Sequence, residues 1–108
     1  MITLHTYAKV GIWQPDVEGN TSKKIAGPSQ VSTLKLSSGG GSAAVAIYDS
    51  STLAGCSATS LKWFLDCSTT DNDVNTFAAP LRFDTGVFCI LEQGVGTNPK
   101  LCISTVAP

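Results

Sequence analysis

Cysteines, a single histidine and an aspartate-rich stretch are the residues of this chain with the types that chemistry uses. Cys56, Cys67, Cys89 and Cys102 contain no C-x-x-C pair, and His5 is distant from all of them along the chain. Zinc ligands come in short spacings, so no metal site is assigned. His5 could act as a general base, yet no Ser, Cys or carboxylate can be placed beside it, and a lone His is usually structural or solvated. Asp71-Asn72-Asp73-Val74-Asn75 starts as a D-x-D-x-N calcium loop. The position that needs Gly is Thr76 and the one that needs a bidentate Glu is Arg82, so the loop cannot close as an EF-hand does and reads as a polar connection. Ser38-Gly39-Gly40-Gly41-Ser42 has the glycines of a phosphate cradle without the following Lys-Ser/Thr, and it opens a strand rather than a helix; it reads as a flexible turn. The other carboxylates are dispersed over loops and strand ends. With no nucleophile–base pair and no paired acids, the expectation is a protein that is not an enzyme and carries no cofactor.

Aromatic residues offer binding rather than catalysis. Trp13 and Trp63 could each stack on a sugar or a base. Trp63 alternates with Leu61 and Leu65 and reads as core. Trp13 falls in the less regular N-terminal part, and Trp is enriched at binding hot spots. Trp13, with Ile12 and Tyr7, is therefore the candidate partner-binding set.

The elements that must position these residues are strands. From residue 31 onward, short apolar runs with period-two alternation are separated by Gly, Ser, Thr, Asn and Pro, the pattern of an all-β domain. The expected strands cover residues 31–36, 43–48, 61–67, 77–83, 87–92 and 101–106, with residues 68–75 as a polar connection. Pro80 suits an edge strand or a bulge, since it cannot donate to a ladder. The fold class expected is all-β, a single antiparallel β-sandwich, jelly-roll-like, of about seven or eight short strands. Residues 1–30 read as an N-terminal strand (2–8) followed by an irregular, extended arm with turn signals at Gln14-Pro15-Asp16 and Glu18-Gly19-Asn20; residues 31–108 read as the sandwich domain. Cys89 and Cys102 sit on two consecutive expected strands around a turn near residues 94–98. A hairpin register could set them opposite each other for a disulfide, while in a reducing cytoplasm buried free thiols are favoured.

Composition narrows the function classes. The chain has 108 residues, enough for one domain that buries a core without metal or disulfides. Apolar residues make up 43% and charged residues only 14%, with Ser and Thr supplying most of the polar surface. Such a surface costs little to desolvate against a partner, which suits a component of an assembly. The net charge of −1 provides no basic field for nucleic acid and no polybasic patch for a membrane. No apolar run approaches the length of a membrane span. The N-terminal residues lack a charged segment followed by an apolar one, so synthesis in a cytoplasm without a signal peptide is expected. Asn20-Thr21-Ser22 matches a glycosylation sequon and, without a secretory route, reads as a turn.

Four strings carry a resemblance: residues 31–38 (VSTLKLSS), 46–50 (AIYDS), 61–65 (LKWFL) and 80–88 (PLRFDTGVF). Together they resemble small β-sandwich virion structural proteins of tailed bacteriophages, of the capsid decoration or cement type, over residues 25–108. In those, a strand ending in IYD leads through a small-residue loop to a second strand, and a PL-x-F-x-TG-[VI]-[YF] element and a last hairpin follow. The resemblance implies a protein that binds across subunits of a major capsid protein at the virion surface, as a homotrimer, and it marks no catalytic residues. The rival expectations are a phage tail or host-attachment module presenting residues 68–75 to a receptor, and a free carbohydrate-binding β-sandwich.

Overall fold

Alternating apolar residues become eight strands and one helical turn in the computed structural model, which describes residues 7–26, 28–68, 72–94 and 97–106. In chain order they are β1 (Tyr7–Trp13), α1 (Pro15–Glu18), β2 (Ser22–Ala26), β3 (Ser29–Ser37), β4 (Ala43–Asp49), β5 (Leu61–Cys67), β6 (Asn72–Phe83), β7 (Gly86–Gln93) and β8 (Lys100–Val106). Two four-stranded antiparallel sheets result, the first ordered β1-β8-β3-β6 and the second β2-β7-β4-β5. The first strand pairs with the last, the second with the seventh, the third with the sixth and the fourth with the fifth. That nesting is a ribbon folded on itself and rolled into a sandwich, the jelly roll. The all-β, jelly-roll-like sandwich expected from the sequence is therefore the fold.

The core lies between the sheets and follows strand parity. Val45 and Ile47 on β4, Leu65 on β5, Val87 and Cys89 on β7, and Leu101 and Ile103 on β8 all point inward and are buried. Each side chain of this size contributes roughly 1.5–3 kcal/mol when fully buried. On β3 the buried residues are Val31, Leu34 and Leu36, which do not keep one parity. The register shifts between Val31 and Thr33 against both neighbours, and Ser32 at the shift donates its hydroxyl to the Ser104 carbonyl at 3.1 Å. A bulge thus re-aims the strand so that all three apolar residues reach the core. Opposite it, β6 passes from Leu81 to Thr76 while β3 advances from Val31 to Thr33. Pro80 lies in that excursion, on an edge strand, as its missing N–H requires. The excursion also delivers Phe77, whose ring meets Trp63 edge-on at 4.9 Å across the open side of the sandwich.

Two expectations about connectivity need correction. Residues 7–26 are not an extended arm: β1 is an edge of the first sheet and β2 an edge of the second. The turn signals between them close into α1, with Pro15 at the helix start and Gly19 ending it in a left-handed conformation (φ 73°). The last two strands do not form a hairpin either. β7 pairs with β2 and β4, β8 with β1 and β3, so the chain crosses between sheets after residue 93. Cys89 faces the core, whereas Cys102 pairs with Ile12 and Lys35 on the opposite sheet. None of the four cysteines forms a disulfide, and burial pushes the Cys89 thiol up to about 12.

Two of the sequence strings turn out to be one device. Asp49, the acid of the AIYDS string, accepts backbone N–H groups from Asp84 (3.1 Å), Thr85 (2.8 Å) and Gly86 (3.3 Å), which are the turn of the PLRFDTGVF string. Ser50 N–H returns a bond to the Gly86 carbonyl at 3.0 Å. Burial pushes the Asp49 carboxyl up, but the three amide donors outweigh it and hold it below the ordinary carboxylate value. The residues between β3 and β4 are equally specific. Gly39 has φ 71°, and a Cβ there would run into the backbone carbonyls of Thr97 and Asn98. The glycine lets the turn lie directly on the loop before β8.

Candidate interaction surface

Strand parity decides what each candidate residue can touch. In β1 the register sets Trp13 opposite Leu101 and Ile12 opposite Cys102, so the two apolar neighbours face opposite ways. Trp13 is 1% exposed and sits in the core, and its indole N–H donates to the Asn20 side-chain oxygen at 2.6 Å. The reading of Trp13 as a surface anchor is corrected: it ties the α1 turn to β1 from inside. Ile12 is 55% exposed on the outer face of the first sheet. Tyr7 is placed by its backbone opposite Val106, and its side chain lies outside the described part of the molecule. His5 and Asp71 lie outside the described residues.

The other chemical candidates are absorbed by structure. Asp73 accepts the Asp66 backbone N–H at 3.0 Å and the Asn75 side-chain amide at 2.9 Å, so its carboxylate joins β5 to β6. Among the described residues no group of three His, Cys, Asp or Glu side chains could hold a metal. No helix among them is long and apolar enough to cross a membrane. Trp63 presents its ring to Phe77 and packs against the core, as its alternation with Leu65 predicts.

The two outer faces differ. On the first sheet, Thr33, Lys35, Ser37, Lys100, Cys102 and Ser104 lie outward with the exposed Ile12 and Val74, a mostly polar face. On the second sheet the outward residues of β4, β7 and β5 include Ala44, Ala46, Tyr48, Phe64, Phe88 and Ile90. Ala44 and Ala46 are buried beneath their larger cross-strand neighbours, while Phe64 stands 49% exposed over Ala46. The outward residues of β5, Lys62, Phe64 and Asp66, are all exposed in the single chain. The sequence signal of this outer face lies in Ala43–Asp49, where apolar residues occupy both parities. An antiparallel sheet facing water on one side would alternate instead.

Fold and surface together define a jelly-roll sandwich whose first sheet has a mostly polar outer face and whose second sheet turns Tyr48, Phe64 and Ile90 outward. No protein-family model, curated protein or solved structure matches the chain.

Proposed function

We propose that the protein is a non-enzymatic structural component of a phage virion, decorating or cementing the capsid by binding across subunits of the major capsid protein. The observation that carries this reading is the presence of exposed apolar side chains on a low-charge surface: Ile12 and Val74 on the outer face of the first sheet, and Phe64 on that of the second. Exposed large apolar side chains such as these can serve as anchors on a partner. The resemblance of the four sequence strings supplies the virion context, and fold alone would not, because jelly rolls serve many functions. Cementing needs no chemistry. It adds buried area between neighbouring shell subunits, and few charged groups then have to be stripped of water.

In this reading Ile12 contributes to the capsid contact. The copy number of the chain in purified particles, measured by quantitative mass spectrometry against the most abundant shell protein, tests it. Hundreds of copies in fixed ratio to the shell are expected. A handful would place the protein in the tail or neck, and absence would end the virion reading. Ile12→Asp should lower occupancy about tenfold with an unchanged melting temperature, since a truncated hot-spot residue costs on the order of 1–2 kcal/mol.

A further inference from the structure

The outer face of the second sheet combines the exposed Phe64 and the half-exposed Tyr48 and Ile90 with a polarised charge layout. Three rows of side chains cross it. The first holds Lys24, Phe88 and Tyr48, with Lys62 beside Tyr48 at a break in register. The middle row is Ser22, Ile90, Ala46 and Phe64. At the far end are Ala44 and Asp66, with Glu92 at the register break next to Ala44. One end is therefore basic, the other acidic, and the middle is uncharged. Lys24, Lys62, Asp66 and Glu92 are all exposed, and none forms an ion pair with another described residue.

We propose that this face binds the same face of a second copy of the chain, about a twofold axis that runs across the strands. Such an axis reverses strand direction between the two sheets. It sets Lys62 against the partner's Asp66 and Lys24 near the partner's Glu92, and by symmetry each contact occurs twice. A twofold axis along the strands would bring Lys62 against the partner's Lys24, which like-charge repulsion disfavours. In the first arrangement Phe64, on the middle row, meets the partner's Phe64. Ala44 and Ala46 are already covered within the chain, so the partner's ring meets Phe64 and the half-exposed Ile90 and Tyr48 between sheets about 10 Å apart.

Size sets the strength. Four strands about 4.8 Å apart and roughly six residues of about 3.4 Å each make a footprint of about 400 Å² per copy. That is near half of the roughly 800 Å² per partner of a standard stable interface, so the pair is weak and forms at high local concentration. Its ionic contacts are exposed at the rim and weaken with salt. The pairing stands independently of the virion reading and is read in solution on the purified chain.

Sedimentation velocity of the full chain from about 10 μM to about 1 mM, the range in which so small an interface should populate, tests the proposal. A monomer–dimer equilibrium is expected. Phe64→Ser should weaken it at least tenfold, and Asp66→Lys several-fold by facing the partner's Lys62. The double exchange Lys62→Asp with Asp66→Lys should recover most of the loss. Circular dichroism confirms that each variant is folded, and the charge exchange decides the matter should Phe64→Ser fail to fold. A monomer at all concentrations, a trimer as the resemblance implies, or a dimer indifferent to Phe64→Ser and Asp66→Lys would each overturn it.

Discussion

Replacing Trp13 by Ala is expected to lower the unfolding free energy by about 3–5 kcal/mol, the cost of truncating a fully buried aromatic side chain. Trp13 lies between the sheets, and an apolar gap of about 50 Å³, lined by Gly11, Ile12, Lys23, Ile25 and Ile103, already adjoins it. Removing the indole enlarges that gap instead of letting the walls collapse. It also leaves the Asn20 side-chain oxygen without its donor. A domain of this size holds only about 5–15 kcal/mol of stability, so the variant should melt at least about 12 °C lower. Trp13→Phe retains much of the packing and loses the hydrogen bond, at a cost nearer 1 kcal/mol plus the lost volume. Urea titration of the three proteins measures both steps. An anchor on the surface would behave in the opposite way, with melting unchanged and partner binding lost.

Asp49→Ala should cost about 2–4 kcal/mol, because three amide donors in one turn lose a charged acceptor at once. Asp49→Asn, which keeps the shape and one acceptor oxygen, should cost less, and its comparison with the native chain isolates the charge. The folded carboxyl is held below its ordinary value. Its contribution is therefore complete above the unfolded value of about 3.9 and is lost as the pH falls through the lower folded value. The native chain should be the more stable at pH 7, and the gap to Asp49→Asn should close as the pH is lowered below about 4. Glu18, also held low by the Gln14 amide and by Lys23, titrates in both proteins and cancels in the difference. A gap independent of pH would show that the carboxylate charge is not what holds the turn.

Local pattern disclosed the strands better than their partners. β5 begins and ends where alternation from Leu61 to Cys67 places it, and β3, β4, β7 and β8 differ from expectation by two residues or fewer at either end. β6 starts earlier, at Asn72, because polar residues pair along an edge strand as readily as apolar ones. The N-terminal strand is Tyr7–Trp13 where alternation suggested residues 2–8. Pairing is another matter. Of consecutive strands only β4 and β5 are hydrogen-bonded to each other, so the habit of joining neighbours into hairpins misplaces β7 with β8. The surface was half legible for the same reason. Val10-Gly11-Ile12-Trp13 is apolar at both parities, and only the register against β8 tells that Ile12 faces out and Trp13 in. The role of Asp49 was hidden because its partners lie 35 to 37 residues away, and no local period connects them.

The nested pairing has a consequence for the birth of the molecule. As the chain leaves a ribosome, β1 and β2 emerge well before their partners, since β1 pairs only with β8 and β2 only with β7. A nascent chain can close β4 on β5 early, and each later strand then completes an outer layer, from β6 to β8. β1 waits for β8, with the Trp13 side chain in water until that strand arrives. Folding of this kind joins distant segments before it is rewarded, which places it on the slow, milliseconds-to-seconds side of small domains. During that interval the unpaired strand edges and the outer face carrying Phe64 are open to other nascent chains, so crowded synthesis is when this protein is most exposed to aggregation.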